Sequence, residues 1–489
     1  MAAIITQKFR VHNAKQFKQD ISTDTDSETY IFIGRSYPWA DDTAPPTPNN
    51  GIGEEIDAWN DMIALKKVST ADTSHAIKRY DWASGTKYSE YQHDISSTNL
   101  ATEGGSISDL YSSKFYVMTD EYHVYKCIRT GRDASGATVN STTKPQGTSA
   151  TVLIAGAEGG ADGFGYLWKY MYTISASDTI KFVTNEFIPV KTLGAQTEID
   201  GISTNGGFGG TGTDDSSAQY DVETAAVDGA IDHVVVTARG TSYNEGTYSE
   251  IDIKGDGSLA QVVVTVNAAG NVSDIKMENE LSEHGTGYTK ATLDIDAISG
   301  IGGNANATAK VIISPKIGHG ADPVQELGGN YMMVNARLEF AEGSGDFPID
   351  NDFRRIGLIQ DPFATGTTVL DATTAFAYNK MTLASVTDLA VDDTVRDTNN
   401  AATADAVGKV ISITGTVVSY ITQVNAAGTY SNFSNGDTAF EGTSNLGAIS
   451  LVTAPEVVAN SGQIMYIENR GAVTRASDQI EDIKLIIEM

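Results

Sequence analysis

The sequence predicts a β-rich α+β protein of several domains. A discontinuous core of antiparallel sheets with a few short helices carries two all-β inserts that are rich in glycine and threonine. The chain has 489 residues, more than one ordinary core accommodates, and 40% of them are hydrophobic, enough for packed cores. It contains 48 glycines but 11 prolines. With many threonines, valines and aspartates, this composition favours short strands and tight turns over long helices.

Charge, cysteine content and the absence of long apolar runs restrict the partners and the cellular location that we expect. The formal charge is 33 − 63 = −30, so the surface repels phosphate backbones and anionic lipid, and we expect neither nucleic acid nor membrane as a partner. Cys127 is the single cysteine and excludes an intrachain disulfide framework. The first residues lack the apolar segment of a signal peptide, and no run reaches the length of a transmembrane helix. We therefore expect a soluble protein that is made in a cytoplasm.

The N-terminal part alternates between strand and helix patterns. Residues 3–11 and 29–34 are predicted as strands, and residues 12–21 as a short helix with apolar positions three and four apart. The loop 34–48 is punctuated by prolines and excludes both helix and inner strand. Residues 53–68 have a helical period, with Glu54 and Glu55 in the favoured first turn.

Further along, alternation predicts strands. Residues 115–128 alternate as a hairpin pair, and the apolar segments 162–174, 184–190, 331–340 and 347–362 follow. At the C-terminus, residues 464–467 and 483–487 are two apolar runs joined by a polar connection. We expect them to form a hairpin-like pair that is docked into the main core.

Two segments differ in composition from this core. Residues 199–314 contain a repeat, because Gly-Thr-x-Tyr followed by an alternating strand and a glycine-rich turn begins at Gly240 and again at Gly285. Two copies indicate paired small β units and not a long solenoid. The second segment, 364–457, repeats at 424–428 the VNAAG of 266–270, a similarity too short to establish common origin.

Several motifs occur in an order typical of one family. FIGRSYPW, a proline-rich loop, a helix with a Trp and KRYDW stand in the first part, FRRIGLIQDP follows at 353–362, and IMYIENR with DQIEDIKLII closes the chain. Together they resemble the baseplate wedge subunit, the product of gene eight, of T-even-like contractile-tailed bacteriophages. The resemblance covers the core segments and neither insert. The predicted division is a first core part at 1–198, a β-rich insert at 199–314, a second core part at 315–363, a second insert at 364–457 and C-terminal core strands at 458–489.

Motifs for catalysis or ligand binding are incomplete. GRSYP at 34–38 has Pro38 in place of the second glycine of a nucleophile elbow, and Gly207, Gly209 and Gly212 lack the strand and helix of a dinucleotide site. His123 and Cys127 are too far apart on a strand to form a hydrogen bond. We predict no catalytic residue, no cofactor and no metal ligand. Calcium at the aspartates of the repeats stays open as a hypothesis: Asp252, Asp256, Asp294 and Asp296.

The resemblance implies a structural virion protein of the tail baseplate that is assembled in the host cytoplasm. It implies a homodimer that holds other wedge proteins and rearranges when the tail contracts. Aromatic and arginine side chains of the family-like segments are the candidate interface residues: Trp39, Trp59, Trp82, Arg354 and Arg470. Two alternatives remain, a carbohydrate- or receptor-binding tail protein that uses the Gly-Thr-x-Tyr repeats, and a glycan-degrading tail enzyme.

Overall fold

The protein divides into two compact units, each built from separated stretches of the chain. The first comprises residues 1–15, 74–333 and 487–489, and the second comprises residues 16–73 and 334–486. The computed structural model describes these residues: 4–23, 27–103, 105–133, 136–152, 154–156, 164–193, 215–279, 284–302, 306–338, 351–475 and 480–489. Gly207, Gly209 and Gly212 of the glycine-rich segment lie outside them.

The helices within these ranges are short. The longest has 17 residues. They are α1 (Gln7–Thr23), α2 (Ile52–Asp61), α3 (Ala176–Phe182), α4 (Asp215–Thr224) and α5 (Pro323–Leu327), and single 3-10 turns lie at Thr70–Asp72 and Leu110–Ser112.

The strands outnumber the helices throughout the described chain. Those before the first insert are β1 (Thr29–Gly34), β2 (Met62–Lys67), β3 (Thr73–Lys78), β4 (Tyr116–Met118), β5 (His123–Arg129), β6 (Ile154–Ala155), β7 (Leu167–Thr173) and β8 (Phe187–Val190). The first insert has β9 (Ile231–Arg239), β10 (Gly246–Asp252), β11 (Lys254–Gly255), β12 (Gln261–Val266), β13 (Val272–Met277), β14 (Ala291–Thr292) and β15 (Ala307–Ile313).

The remaining strands follow in the same way. The second core part has β16 (Tyr331–Leu338) and β17 (Asn351–Gln360). Next come β18 (Phe363–Thr365), β19 (Thr368–Val369), β20 (Thr374–Phe376), β21 (Asn379–Thr382), β22 (Thr394–Arg396), β23 (Val407–Thr414), β24 (Val417–Thr422), β25 (Thr438–Glu441), β26 (Ser444–Ala448) and β27 (Leu451–Thr453). The chain closes with β28 (Gln463–Arg475) and β29 (Glu481–Glu488).

Two predictions near the N-terminus are wrong in part. The predicted strand 3–11 is mostly helix, because α1 begins at Gln7 and buries Val11 and Ala14, three positions apart on one helix face. The predicted helix 53–68 ends at Asp61, and Met62 to Leu65 continue as a strand that is buried on both faces. A short apolar run of this kind has no periodicity that separates a strand from a buried helix.

The core sheet of the second unit joins distant parts of the chain. Its strand order is β20-β2-β1-β17-β28, and every pairing is antiparallel. In the centre, Ile31 of β1 lies opposite Leu358 of β17, and Phe32 opposite Leu65 of β2. Tyr30, Phe32, Trp59 and Ile359 are buried together beside it. A strand of the second insert, β20, therefore belongs to this sheet.

The core of the first unit is rich in aromatic residues. Its sheet has the order β4-β5-β7-β6, and all seven residues of β7 are buried. The Tyr166 and Trp168 rings are stacked with centroids 5.6 Å apart, and Tyr88 meets Trp168 edge-on at the same distance. Strands β4 and β5 form the hairpin that was predicted for residues 115–128.

The two repeats of the first insert interlock in one core. Gly240 and Gly285 both have positive φ, 60° and 71°, a conformation that glycine adopts without steric cost. The tyrosines three residues later are both buried, and each bonds to the other repeat. Tyr243 donates to Asp296 Oδ1 at 2.8 Å, and Tyr288 donates to the Ile253 carbonyl at 3.3 Å. Because each tyrosine bonds to the other repeat, the two repeats share a single core.

The second insert is organised differently, around one sheet with the order β26-β25-β22-β23-β24-β21-β27. Its own core packs Tyr420 against Phe433 with ring centroids 5.2 Å apart, and Val410, Val418 and Leu446 surround them. All its pairings are antiparallel.

The predicted C-terminal hairpin is wrong. Strand β28 pairs with β17 and lies at the edge of the sheet of the second unit, whereas β29 lies beside β16 in a different sheet. The two runs are strands, as predicted, but they belong to different sheets. The predicted class, a β-rich α+β protein with a discontinuous antiparallel core, is confirmed.

Candidate interface sites

Asp61, the last residue of α2, is the centre of a buried polar cluster in the second unit, which we call the Asp61 cluster. Its Oδ2 lies 3.2 Å from Arg35 Nη1 and 3.5 Å from Arg355 Nη1, and its Oδ1 accepts a short hydrogen bond from the Tyr37 hydroxyl. Burial raises the pKa of Asp61, and these three partners offset only part of that effect. The cluster fixes the start of the proline-rich loop against α2 and β17.

Arg354 fastens the same loop further along. Its Nε lies 2.9 Å from Asp42 Oδ2, its Nη2 lies 2.9 Å from Asp352 Oδ2, and its Nη1 donates to the Ser36 carbonyl. The guanidinium holds the pKa of Asp42 below its usual range. Arg354 is 4% exposed, so its side chain serves the loop of its own chain.

Trp39 and Arg470 form a half-exposed patch at the edge strand β28, which we call the Trp39 patch. The indole Nε1 of Trp39 donates to the Arg470 carbonyl at 2.9 Å, and the Arg35 guanidinium stacks on the indole ring at 3.6 Å. The Arg470 side chain is 45% exposed and lies 3.9 Å from Glu468 Oε1. An indole and an arginine at a sheet edge are the residue types that dominate protein interfaces.

In the first unit, a buried set of charges surrounds Lys126 of β5, which we call the Lys126 network. Lys126 Nζ lies 2.8 Å from Glu326 Oε2 and donates to His319 Nδ1 at 2.9 Å. His319 Nε2 in turn donates to Asp232 Oδ2 at 2.8 Å, a tautomer assigned from these partners. Burial acts to raise the pKa of Glu326, but the Lys126 ammonium outweighs it and lowers that pKa to about 2.

A second buried carboxylate, Glu90, lies in the same unit. It accepts hydrogen bonds from the Thr130 amide at 3.0 Å and from Arg132 Nη2 at 2.8 Å, and His233 Nε2 lies 3.6 Å away. Burial opposes its ionisation, yet His233 and Arg132 hold the pKa of Glu90 well below its usual range. Asp232 and His233 belong to β9, so charged groups fasten the first insert to the core part of its unit.

The aspartates of the calcium hypothesis serve four separate contacts. Asp252 accepts from Gln261, Asp256 accepts from the amides of Thr289 and Lys290, Asp294 pairs with Lys254, and Asp296 accepts from Tyr243. Among the described residues, no group of three or more His, Cys, Asp or Glu side chains is arranged to hold a metal ion. The repeats do not bring these four carboxylates together.

The residues considered as nucleophiles are buried or lie within a strand. Ser36 of GRSYP is 1% exposed and lies in the loop after β1, where a nucleophile elbow would continue into a helix. His123 and Cys127 lie on β5, as predicted, and His123 Nδ1 is 2.6 Å from Thr173 Oγ1. Cys127 is buried.

Comparison with known proteins gives two concordant matches. Residues 3–131 match the sequence model of the family Phage-Gp8, described as bacteriophage T4 Gp8. The baseplate wedge protein gp8 of Enterobacteria phage T4 is 29% identical to the chain over 212 residues, 38% of this chain and 60% of that protein. Over these residues the chain is similar to the phage Gp8 proteins. The resemblance predicted from the motifs is confirmed, and the match spans about three fifths of the length of the T4 protein.

The region that matches Gp8 contains part of the Asp61 cluster and part of the Trp39 patch. Arg35, Trp39 and Asp61 lie within residues 3–131, as do Trp82, Glu90 and Lys126. Arg354, Arg355 and Arg470, which contact the proline-rich loop and the Asp61 cluster, lie outside this region. In the ranges that the structure describes, no helix has both the length and the apolar character needed to cross a bilayer.

The structure separates the five predicted interface residues. Trp39, Arg354 and Arg470 lie in the second unit around the proline-rich loop, with Arg354 buried. Trp59 is 8% exposed and packs in the core of that unit, so its part in an interface stays a prediction. Trp82 lies in the first unit and donates to Ser141 Oγ at 3.2 Å.

Sequence reasoning missed the Lys126 network. A signal was present in β5, where the charged Lys126 and Arg129 occur in HVYKCIR, a strand that is buried after His123. The other members of the network, Asp232, His319 and Glu326, were not identifiable, because His319 is 193 residues away from Lys126 in the chain.

Proposed function

We propose that this chain is a structural subunit of the baseplate wedge of a contractile phage tail. It is a virion component that is assembled in the host cytoplasm, holds neighbouring wedge proteins in a fixed geometry and rearranges when the tail contracts. The observation that carries this proposal is the Gp8 match over residues 3–131 together with the identity to the T4 wedge protein. Such a task needs broad interfaces and no catalytic step.

The proposed oligomer is a homodimer with one self-complementary patch on each copy. We place the Trp39 patch in an interface of the assembled wedge, because Trp39 and Arg470 combine partial exposure with a position at an edge strand. The clamp by Arg354 and the Asp61 cluster orders the loop before any partner arrives. A loop that is already ordered loses less conformational entropy on binding.

The first experiment measures assembly with the full chain. Native mass spectrometry of the purified protein, alone and mixed with the other wedge proteins of the same phage, is expected to give a dimer and then a mixed complex. A monomer at micromolar concentration, or a chain that is absent from purified virions, would overturn the proposal.

A second experiment tests the patch. The double variant Trp39→Ala, Arg470→Glu is expected to weaken the dimer or the mixed complex by at least about tenfold, since Trp and Arg side chains at hot spots contribute 2 kcal/mol or more. Lys254→Glu, an exposed charge reversal in the first unit, is the matched control and is expected to assemble normally. Equal assembly of both variants would remove the Trp39 patch from the interface.

A further inference from the structure

An open cavity of about 620 Å³ lies in the first unit, and the predicted interface residue Trp82 is part of its lining. Trp82 and Tyr122 contribute its aromatic surface, and Arg79, Asp81, Asp120 and Lys144 contribute its charges. Trp82 is held in place at both ends, because its amide donates to the Met118 carbonyl at 2.8 Å and its indole donates to Ser141. The indole is therefore a fixed wall of the cavity.

Tyr122 has an unusual backbone conformation at the rim of this cavity. It ends the turn between β4 and β5 with φ of +60°, and its amide donates to the Thr119 carbonyl at 3.0 Å. Glycine is the residue that fits this region without steric cost, so a tyrosine here destabilises the turn. The residue is 38% exposed, so part of its surface remains open to a ligand. Unfavourable backbone conformations of this kind concentrate at binding sites.

The charges around the cavity are arranged with the carboxylates outermost. Arg79 Nε donates to both oxygens of Asp81, at 2.9 and 3.1 Å, and Lys144 Nζ lies 2.6 Å from Asp120 Oδ1 and 2.5 Å from Glu121 Oε1. The cationic side chains are 26% and 23% exposed, whereas Asp81, Asp120 and Glu121 are 55%, 76% and 47% exposed. The two cations and two carboxylates of the lining balance, and Glu121, paired with Lys144 beside the cavity, adds a third carboxylate. An incoming group therefore meets aromatic rings and partly free carboxylate oxygens.

We propose that this cavity binds an arginine side chain of a partner protein. A guanidinium is planar, stacks on the face of an indole or a phenol and binds carboxylates through paired N–H donors. The outward carboxylates favour it over an acidic ligand, and the two rings favour it over a lysine ammonium, which stacks less well. The assignment of the arginine to a neighbouring protein rests on the proposed wedge function. The bound arginine would be one specific contact within the wedge.

The test uses a small probe and the full chain. Nα-acetyl-arginine methylamide is titrated into protein labelled with 5-fluorotryptophan, whose four indole signals include Trp82. The Trp82 signal, assigned with Trp82→Phe, is expected to shift and saturate. The citrulline analogue, isosteric but uncharged, is expected to bind about tenfold more weakly, the factor that corresponds to loss of one cation–π contact. Equal binding of both probes, or binding of neutral oligosaccharides in place of the arginine probe, would overturn the proposal.

A matched pair of variants separates binding from stability. Tyr122→Gly is expected to raise the melting temperature, because it removes the unfavourable backbone conformation, and to weaken the arginine probe about tenfold. Leu259→Gly, at another exposed residue with φ of +71°, is expected to raise the melting temperature without changing probe binding. Wild-type affinity in Tyr122→Gly would overturn the proposal. Probe binding by a chain that does not enter virions would leave the pocket established and overturn the wedge function alone.

Discussion

The two inserts share a local motif but are fastened to the rest of the protein by different means. In both, VNAAG forms a turn with the same hydrogen bonds. Asn267 Oδ1 accepts from the amides of Ala269 and Asn271, and Asn425 Oδ1 accepts from the amides of Ala427 and Thr429. Gly270 and Gly428 have φ of 74° and 78°. Five residues therefore determine this turn in either setting.

Their attachment differs. The first insert is fastened by buried charges, since Asp232 on β9 joins the Lys126 network through His319. The second insert is continuous with its unit through strand pairing, since β20 extends the core sheet beside β2. Pairing of strands is tolerant of side-chain identity, whereas a buried charge left without its partner is costly. The first attachment is thus the more sensitive to single substitutions and to pH.

The largest expected effect comes from Lys126→Met. Removing the ammonium leaves the Glu326 carboxylate buried without its cation, which costs about 3–5 kcal/mol. Hydrogen exchange monitored by mass spectrometry is expected to show lost protection in β9 and β15 and unchanged protection in β23 and β24. Lys254→Met, which removes an exposed pair with Asp294, is the control and is expected to cost less than about 1 kcal/mol. Equal losses in the two variants would contradict the distinction between the inserts.

Acid is expected to have the next largest effect, again on the first insert. Because the pKa of Glu326 is lowered in the folded protein to about 2 from an ordinary 4.5, its contribution to stability is present above pH 4.5 and is lost as the pH falls towards 2. That contribution is about 3 kcal/mol. Exchange rates in β9 are expected to rise over this range. Glu326→Gln, already neutral, is the control, and an equally steep acid response in that variant would contradict the assignment.

The smallest expected effects on stability come from substitutions in the two VNAAG turns. Asn425→Ala removes the acceptor of two amides and a donor to the Asp405 carbonyl at a residue that is 7% exposed, so it is expected to cost about 1–3 kcal/mol. Asn267 is exposed, and Asn267→Ala is expected to cost about 0.5–1 kcal/mol because water replaces part of the bonding. Urea unfolding of each variant measures the difference. Asn267→Asp keeps the acceptor and is expected to remain near wild type, and a reversed order of the two alanine variants would count against this account.

Sequence patterns predicted the elements whose formation depends on residues close together in the chain. The strand predicted at residues 29–34 and the hairpin predicted at residues 115–128 both involve residues that are close together in the chain. The helix predicted over residues 53–68 was half right, because Met62 to Leu65 become a strand only through pairing with β1 and β20. The Trp39 patch joins residues 431 positions apart, and no local pattern announces such a contact. The motif order predicted the similarity to the Gp8 proteins correctly, but the direction of each side chain depended on pairing with distant strands.

The composition of the core sheet of the second unit has a consequence for synthesis. Strand β1 is made early, but β17, its neighbour on one side, follows about three hundred residues later, and β28 after a further hundred. At ordinary ribosomal speeds of 5–20 residues per second, β1 stays without that neighbour for roughly 15–60 seconds. A nascent chain interrupted anywhere before β28 lacks the outer strand of this sheet and the carbonyl that receives Trp39. Prematurely terminated polypeptides would therefore not complete the Trp39 patch.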